Sequence, residues 1–260
     1  MIRHSLTAVA VAAGLLLSSI GTIERAAAET VEIKVLASVA LTSALDEIAP
    51  QFERATGNKL TLGYSLIADI KKRILTGETA DLIILSRPAM DDLAKENKFA
   101  SGSMTDIVGT PIAIGVKAGA PKPDISSVDA LKRSLLAAKS IVYADPAKGG
   151  ASGVYFARVV DQLGLTEQLK SKTILVPGAQ AAEVLARGEA EIGVAQASEI
   201  VPDPGAQLVG PLPGEFNSVT KFTAGIGAGS KASEAAKALV QFLKGPAALA
   251  VFKSKGLEPG

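Results

Sequence analysis

The chain contains no cysteine, and its only histidine is His4. Without cysteine the protein forms no disulfide bond and carries no lipid on an N-terminal cysteine. Everything after the first few residues therefore lacks both thiol and imidazole groups, which excludes Ser-His triads, thiol nucleophiles and the usual zinc ligands. We find no motif for a carboxylate metal site or for a Ser-Lys pair. These absences predict a protein that is not an enzyme and that uses no cofactor and no metal held by side chains.

Long hydrophobic runs are absent too, apart from one at the N-terminus. Thr7 to Ile20 is almost wholly apolar, a short polar start precedes it, and Ala26-Ala27-Ala28 follows it. This order is typical of a secretory signal peptide with a small-residue cleavage site. The run is short for a membrane span, and an uncleaved N-terminal anchor is the alternative. We predict a cleaved signal peptide at residues 1–28 and a mature protein, residues 29–260, in the periplasm.

The charges are balanced. The whole chain has 27 Lys or Arg and 26 Asp or Glu residues. Without Arg3, Arg25 and Glu24, which fall in the first 28 residues, 25 of each sign remain. A nucleic acid or an anionic membrane surface attracts proteins with a basic excess. The mature chain has none, so neither partner is expected.

Strand-like and helix-like segments alternate along the mature chain. The run ADLIILS (Ala80–Ser86) is almost continuously apolar, as expected of a parallel strand covered on both faces. Apolar residues recur at helical spacing from Leu41 to Phe52, which predicts a helix with one buried stripe that ends at Gly57. No element is predicted in the Pro-rich stretch VPDPGAQLVGPLPGEF. Repeated βα units imply an α/β protein with mostly parallel sheets flanked by helices.

The length of the mature chain indicates two lobes. About 230 residues are many for a single hydrophobic core and suit two. No long linker separates one half of the sequence from the other. We therefore expect a chain that crosses between the two lobes more than once.

Four stretches are predicted to lie where ligands of open α/β sheets bind, beyond the carboxyl ends of strands and next to helix N-termini. The first, LASVALTSAL, holds Ser38, Val39 and Ala40, whose hydroxyl and backbone N–H groups can meet a ligand. The second, YSLIADI, presents Ser65 and Leu66 in the same way. Thr42 and Ser43 are further hydroxyls of the first stretch, and plain helix capping is the alternative role for these two.

The third stretch, GGASGVYFARVV, joins three glycines to an amphipathic helix. Ser152 is the predicted N-cap. Gly149, Gly150 and Gly153 remove side chains from the approach to the helix. The N–H groups at the positive end of the helix dipole then favour an anion. A tight connection that needs glycine only for its backbone angles is the alternative.

The fourth stretch, VAQASEI, follows directly after a predicted strand. Gln196 and Ser198 can form hydrogen bonds to a ligand, whereas Glu199 is predicted to be solvated or to cap a helix. Arg87 comes immediately after another buried strand and is the candidate partner for a ligand carboxylate. Surface solvation is the default for the other cations near these loops.

Five segments together resemble a known family. They are VLASVALTSALDEIAPQFERATG, GETADLIILS, ADPAKGGASGVYFARVV, GEAEIGVAQASEI and LVQFLKGPAALAVFKSKGLEP. In order and spacing, over about 230 residues, they are similar to the molybdate-binding proteins of ABC importers, within the type II periplasmic binding proteins. The resemblance implies two lobes joined by two crossover strands. Lobe one would comprise residues 29–111 and 202–260, and lobe two residues 112–201.

The resemblance also implies how the protein works. A ligand that touches both lobes in the cleft stabilises the closed form, which the transporter recognises. The protein would be a monomer that passes a small anion, by default molybdate or tungstate, to an ABC permease in the inner membrane. The residues expected to bind the ligand are Ser38, Val39, Ala40, Ser65, Leu66, Ser152, Gly153 and Gln196.

The chain departs from the family in three of the loops that hold these residues. The family's first loop reads Ala-Ser-Leu-Thr, and its serine contacts the oxyanion, whereas Ala40 occupies that position here. The second loop is serine-rich in the family and keeps only Ser65 here. Gln196 stands where the family has a tyrosine. A tetrahedral oxyanion that is bound without charge neutralisation needs several neutral donors, so these losses bear directly on the ligand.

Two ligand classes therefore stay open. Molybdate or tungstate would be held mainly by backbone N–H groups. A small organic carboxylate would instead pair with Arg87, Lys148 or Arg158. A sensor module of the same fold that presents its ligand to a receptor, and an exported hydrolase, are the remaining alternatives.

Overall fold

Strands and helices alternate through the described part of the protein. The computed structural model describes Met1 and residues 30–259, so the predicted signal peptide lies, apart from Met1, outside the described residues. The strands are β1 (Glu32–Ser38), β2 (Lys59–Ser65), β3 (Leu82–Ser86), β4 (Thr105–Lys117), β5 (Ile141–Ala144), β6 (Thr173–Val176), β7 (Ile192–Gln196), β8 (Ala206–Pro211), β9 (Val219–Ile226) and β10 (Glu258–Pro259). The helices are α1 (Thr42–Thr56), α2 (Ile67–Leu75), α3 (Arg87–Lys95), α4 (Val128–Ala137), α5 (Ala151–Gln162), α6 (Thr166–Lys170), α7 (Ala181–Arg187), α8 (Ala197–Ile200), α9 (Ser233–Leu243) and α10 (Pro246–Ser254). Short 3-10 turns occupy Val39–Leu41, Pro146–Lys148 and Gly214–Phe216.

The strands form one continuous sheet. Their order is β2-β1-β3-β9-β4-β7-β5-β6, and β8 and β10 both pair with β4. The pairs that come from the βα repeats are parallel, namely β1–β2, β1–β3, β5–β6 and β5–β7. The strands that connect the lobes add antiparallel pairs, among them β3–β9, β4–β9 and β4–β7. The predicted two-lobed α/β fold with helices flanking the sheet is confirmed.

Strand β4 carries the chain from one lobe to the other. Its first half pairs with β9 as far as Pro111, and its second half pairs with β7 from Ile112 onward. β8 runs back antiparallel to this second half. The return crossing therefore follows Pro211, because residues 206–211 belong to the sheet of lobe two. The boundary expected at Pro202 stays a prediction, and the pairing of β8 with β4 favours a later one.

Both faces of the sheet are covered in each lobe. In β3, Leu82 and Ile84 pack with α1, α9 and α10, whereas Ile83 and Leu85 pack with α2 and α3. In lobe two, one face of the sheet packs against α4 and α5 and the other against α7 and α8. The predicted apolar run in β3 thus reflects burial on both sides. The predicted stripe of α1 is buried as well, and the helix ends at Gly57, whose φ is 77°.

Four elements were missed in the sequence: β8, α6, α8 and the two-residue strand β10. β8 lies between prolines in the stretch to which no element was assigned, since proline argues against a strand. The prolines are tolerated because β8 is an edge strand, which pairs on one side only, with β4. α6 and α8 are five and four residues long. Helices of one turn are too short to show a periodic apolar pattern.

The last two helices pack against the first. Phe242 of α9 meets Phe52 of α1 edge-on, with ring centroids 5.5 Å apart. Such pairs add about 0.5–1.5 kcal/mol beyond the burial of their surface. In residues 30–259 no single helix is long and apolar enough to cross a membrane, and α9 and α10, which would suffice only together, are bent by 61°.

Candidate functional site

The carboxyl ends of β1, β2, β5 and β7 converge on one enclosed space between the lobes, which we call the central cavity. Its lining residues are Ser38, Val39, Leu66, Ile67, Ala144, Gly150, Ala151, Ser152, Gly178, Gln196 and Glu199. Its free volume is about 10 Å³, which is room for roughly one water-sized sphere. Residues of lobe one and lobe two therefore close around the same small space.

Five of the eight predicted binding residues line the central cavity, and three do not. The five are Ser38, Val39, Leu66, Ser152 and Gln196. Gly153 lies behind Ser152 and does not reach the cavity. The Ala40 N–H donates to Ser38 Oγ at 3.4 Å, so it is engaged within its own loop. The Ser65 hydroxyl donates to Asp69 Oδ2 at 3.1 Å.

Ser38 provides a hydroxyl from lobe one. It ends β1 and caps the 3-10 turn that follows it, and only 3% of its surface is exposed. Its oxygen accepts from Ala40, which leaves the hydroxyl hydrogen available to a ligand. Ser38 can thus cap this turn and bind a ligand, whereas the capping of α1 expected from Thr42 or Ser43 is wrong, because Leu41 is the N-cap and no side chain caps this helix.

The N-terminus of α5 provides backbone donors from lobe two. The predicted N-cap, Ser152, is wrong: Gly150 is the N-cap and Ser152 lies in the first turn. The reason is the preceding 3-10 turn, which Asp145 caps by accepting from Ala147 N–H at 2.9 Å and which Gly149 ends with a φ of 76°. The helix can begin only after this turn. The first N–H groups of α5 have no acceptor within the helix, and they point their positive charge at the cavity side.

Close packing explains one of the glycines in this segment. A Cβ at Gly153 would lie 2.0 Å from the carbonyl oxygen of Ala144 at the end of β5. Glycine therefore lets α5 start directly against the strand. Backbone conformation accounts for Gly149 and close packing for Gly153, and the anion site expected at this helix start stays a prediction.

Gln196 places an unpaired amide oxygen in the cavity wall. It ends β7 and is only 2% exposed; its side chain faces the Glu199 backbone N–H as the N-cap of α8, but no hydrogen bond of normal geometry satisfies its Oε1 within the described residues. An unpaired buried polar group costs about 1–3 kcal/mol. Ser198 Oγ is likewise buried and unpaired in this part of the chain. Only a donor such as a ligand hydroxyl could pair with Gln196 Oε1, whereas an anion would accept from the Gln196 Nε2 amino group.

Glu199 is the site residue that sequence reasoning missed. It lines the central cavity, and its Oε2 accepts from Gln196 N–H at 3.2 Å, which is the capping role expected for it. It is not a solvated surface residue, because burial raises the pKa of its carboxyl to about 7. The Gln196 hydrogen bond lowers that pKa but does not offset the burial. Glu199 comes three residues after the end of the buried strand β7, and this position in the sequence could have indicated a site residue.

A second and larger space, which we call the wide pocket, adjoins the central cavity. Its volume is about 490 Å³, and both lobes line it. The lining residues are Ile67, Ser86, Arg87, Pro88, Ile112, Gly149, Ala151, Val154, Tyr155, Arg158, Ser218, Val219, Thr220 and Lys221. Ile67 and Ala151 line both spaces. The two spaces are therefore adjacent and share part of one wall.

The cations of the wide pocket differ in their partners. Arg87 contacts Asp91 at 2.8 Å and Asp106 at 3.3 Å, and these carboxylates hold the pKa of its guanidinium above the ordinary value. Arg158 and Lys221 form no ion pair within residues 30–259. The predicted partner Arg87 is thus already compensated, whereas Arg158 and Lys221 can offer charge to a ligand.

Lys148 belongs to a different surface. It lines an open pocket of about 520 Å³ outside the central cavity, together with Ser65, Asp69 and Glu183. The two carboxylates there make this pocket less suited to an anion than the wide pocket. In the described residues no group of three His, Cys, Asp or Glu side chains is placed to hold a metal ion.

Comparison with known proteins finds relatives over most of the chain. Residues 33–258 match the family described as bacterial extracellular solute-binding protein. An aconitate isomerase from a Pseudomonas species is 34% identical over 240 residues, which cover 90% of each chain. The molybdate-binding protein ModA of Azotobacter vinelandii is 32% identical over 239 residues, which cover 88% of this chain and 91% of that protein. The solved periplasmic molybdate-binding protein of A. vinelandii has a TM-score of 0.73 at 18% identity, covering 88% of this chain and 99% of that chain.

These matches confirm the family resemblance that the sequence motifs indicated. The shared fold accounts for two lobes, a cleft at the carboxyl ends of the strands and four converging loops. Family membership also implies a periplasmic location. The relatives carry two different names, one of an enzyme and one of an oxyanion receptor, so they leave the ligand open. The chain belongs to the bacterial extracellular solute-binding protein family, as a divergent relative of the molybdate-binding proteins.

Proposed function

We propose that the protein is the solute receptor of an ABC importer and that its ligand is a small organic anion with at least two carboxylates. One carboxylate would occupy the central cavity, against the N-terminus of α5 and Gln196. The rest of the ligand would extend into the wide pocket towards Arg158 and Lys221. The observation that carries this proposal is that the two spaces lie side by side, with Ile67 and Ala151 in the walls of both.

The physical argument has two parts. Helix N-termini favour an anion without a counter-charge, and a hydrogen bond to a charged group contributes about 1.5–3 kcal/mol. Arg158 and Lys221 are exposed, so each adds a weaker and salt-dependent attraction. Because Lys221 comes from lobe one and Arg158 from lobe two, a carboxylate between them favours the closed form.

Molybdate or tungstate is the second candidate ligand. The observation in its favour is that the donors around the central cavity are neutral, as in Ser38, Ser152 and Gln196. A tetrahedral oxyanion would use these donors alone and would leave the cations of the wide pocket without a role. The name of the ModA relatives agrees with this ligand, and that of the aconitate isomerase agrees with a carboxylate.

A thermal-shift and calorimetry screen separates the two ligands. The exported protein, purified from the periplasm, is tested with aconitate, citrate, succinate, malonate, molybdate, tungstate and sulfate. A ligand at one hundred times its Kd adds about 2.7 kcal/mol of stability. A shift with carboxylates supports the proposal, and a shift with molybdate or tungstate alone supports the second candidate. No shift with any of these anions contradicts both.

The name of the isomerase relative, together with Glu199, raises the question of catalysis, and the expectation that the protein is not an enzyme stays a prediction. A carboxyl with a pKa near 7 can both accept and donate a proton at neutral pH. On an unsaturated tricarboxylate, Glu199 would take a proton from the methylene carbon next to the double bond. The electron pair would move the double bond, and Glu199 would return the proton to the far carbon. No atom is gained or lost.

Deuterium exchange tests this reaction. The protein is incubated with trans-aconitate in D2O, and the methylene signal is followed by NMR. Exchange that disappears in Glu199→Gln would show proton transfer by this residue. Tight binding without exchange would show a receptor that does not turn over its ligand.

A further inference from the structure

Glu199 is placed to contact whatever anion the central cavity holds. It lines the cavity beside Ser152 and Gln196 and across from Ser38. One carboxyl oxygen, Oε2, accepts from Gln196 N–H. Within the described residues no protein group donates to Oε1. The side chain keeps part of its surface accessible, and that surface faces the cavity that it lines.

Among residues 30–259 no protein charge compensates an ionised Glu199. α8 packs against β4, β7, β8, α7 and the 3-10 turn after β1. The titratable groups on these elements are Asp106, Lys117, Glu183 and Arg187. Asp106 pairs with Arg87, Arg187 pairs with Glu189, Lys117 lies beside Gly188, and Glu183 lines the open pocket near Lys148. None of them affects the pKa of Glu199, which burial and one backbone N–H determine.

An anion and an ionised Glu199 would repel each other strongly in this enclosed space, since two like charges in low dielectric disfavour ionisation of one of them. A neutral Glu199 has the opposite effect. Its O–H group can donate a charge-assisted hydrogen bond to a ligand oxygen. The same position is therefore repulsive or attractive according to one proton.

We propose that Glu199 binds the captured anion as a neutral carboxylic acid, so that closure of the lobes over the anion takes up one proton. This inference rests on the proposed receptor function, because it requires an anion in the central cavity, and it excludes the base role of Glu199 considered above, because a neutral carboxyl cannot take a proton from carbon. Glu199 is then a ligand-binding residue whose protonation sets the affinity. The anion binds more tightly at acidic pH and is released more readily at alkaline pH. Above the pKa of the free residue, the affinity should fall about tenfold for each pH unit.

Calorimetry measures this proton directly. The best-binding anion of the screen is titrated at pH 8 in HEPES and in Tris, whose ionisation enthalpies differ, and the difference in heat gives the number of protons taken up. We expect about one proton for the unmodified protein and none for Glu199→Gln. Gln can still accept from Gln196 N–H and stays neutral, so this variant should bind with an affinity that does not change between pH 7 and pH 9.

Glu183→Gln is the matched control. Glu183 is an exposed glutamate of the same lobe that lies outside the central cavity, so its replacement should leave the proton uptake unchanged. Binding without proton uptake at pH 8 overturns the inference and leaves the proposed function intact. Uptake that persists in Glu199→Gln overturns it as well, because another group would then carry the proton. If no anion binds, the proposed function itself fails. Should Glu199→Gln not fold, the uptake and the pH dependence of the unmodified protein decide the question.

Discussion

The central cavity and the wide pocket adjoin each other but are built on different physical principles. The central cavity has neutral donors, an enclosed volume and lining residues such as Ser38, Ser152 and Gln196 that are at most 4% exposed. The wide pocket is open, and its cations Arg158 and Lys221 are exposed. Buried hydrogen bonds to an anion are strong and specific. Exposed charges are screened by salt, and they mainly select among anions and steer them towards the site. The enclosed space should therefore determine affinity, and the open one should determine which anion is preferred.

The largest effect is expected from Gly153→Ala, which disturbs the central cavity through the backbone. The added Cβ would lie 2.0 Å from Ala144 O, so α5 must move away from β5. A displacement of the donors by about 1 Å costs about a hundredfold in function, and overpacking costs about 1–3 kcal/mol of stability. Titration calorimetry and urea unfolding measure the two losses.

Gly229→Ala is the control for that change. A Cβ at Gly229 meets no atom within 4 Å, so both its affinity and its stability should remain close to those of the unmodified protein. If Gly153→Ala bound the ligand as tightly as Gly229→Ala, the N-terminus of α5 would not be part of the binding site.

Gln196→Leu should separate binding from stability within the same cavity. The amide contributes one hydrogen bond to the anion, so its loss should raise the Kd by about 10- to 100-fold. Its Oε1 makes no hydrogen bond of normal geometry and serves only as a weak cap of α8, so the free energy of unfolding without ligand should fall by about 1 kcal/mol at most. Gln207→Leu, in half-buried β8 and outside both spaces, is the control. A loss of stability as large as the loss of binding would assign Gln196 a purely structural role.

The two spaces also differ in how far the sequence predicted them. The fold followed from the apolar periods: the α1 stripe and the doubly covered β3 are where the patterns predict them. Residues at the carboxyl ends of strands could be named for the same reason, and five of eight line the central cavity. The N-cap of α5 could not be predicted, because the 3-10 turn that displaces it depends on Asp145 and Gly149.

The wide pocket was harder to foresee. Lys221 lies on β9, far along the chain from Arg158, and only the return crossing after β8 brings the two to one space. Arg87 was singled out because it follows a buried strand, but its ion pairs with Asp91 and Asp106 are side-chain contacts that no sequence period encodes. Periodicity predicts which elements form and which ends they share, and it does not predict which charges pair.

Replacing the cations of the wide pocket should have a moderate effect that depends on the ligand. Arg158→Gln and Lys221→Gln should each weaken carboxylate binding by about 3- to 10-fold, since exposed charge pairs contribute about 0.2–1 kcal/mol and somewhat more when a ligand shields them. The effect should shrink at high salt. Binding of molybdate should not change. Arg133→Gln, an exposed arginine of lobe two outside both spaces, is the control. Equal losses for carboxylate and molybdate would contradict a selective role of the wide pocket.

The smallest effect is expected in the protein without ligand. It depends on whether Glu199 in the central cavity titrates near neutral pH while the cations of the wide pocket stay charged. Burial raises the pKa of Glu199 to about 7 from its ordinary value of 4.5. A raised pKa in the folded state means that the folded protein binds more protons than the unfolded chain between these two values. Its stabilising contribution is therefore complete below pH 4.5 and is lost as the pH rises to about 7.

Glu199→Gln lacks this loss, so it should gain about 1 kcal/mol relative to the unmodified protein between pH 5 and pH 8, a modest value because the carboxyl keeps some accessible surface. Urea unfolding at the two pH values, with Glu183→Gln alongside, measures the difference. Parallel pH profiles for all three proteins would mean that Glu199 ionises as freely in the cavity as it does in water.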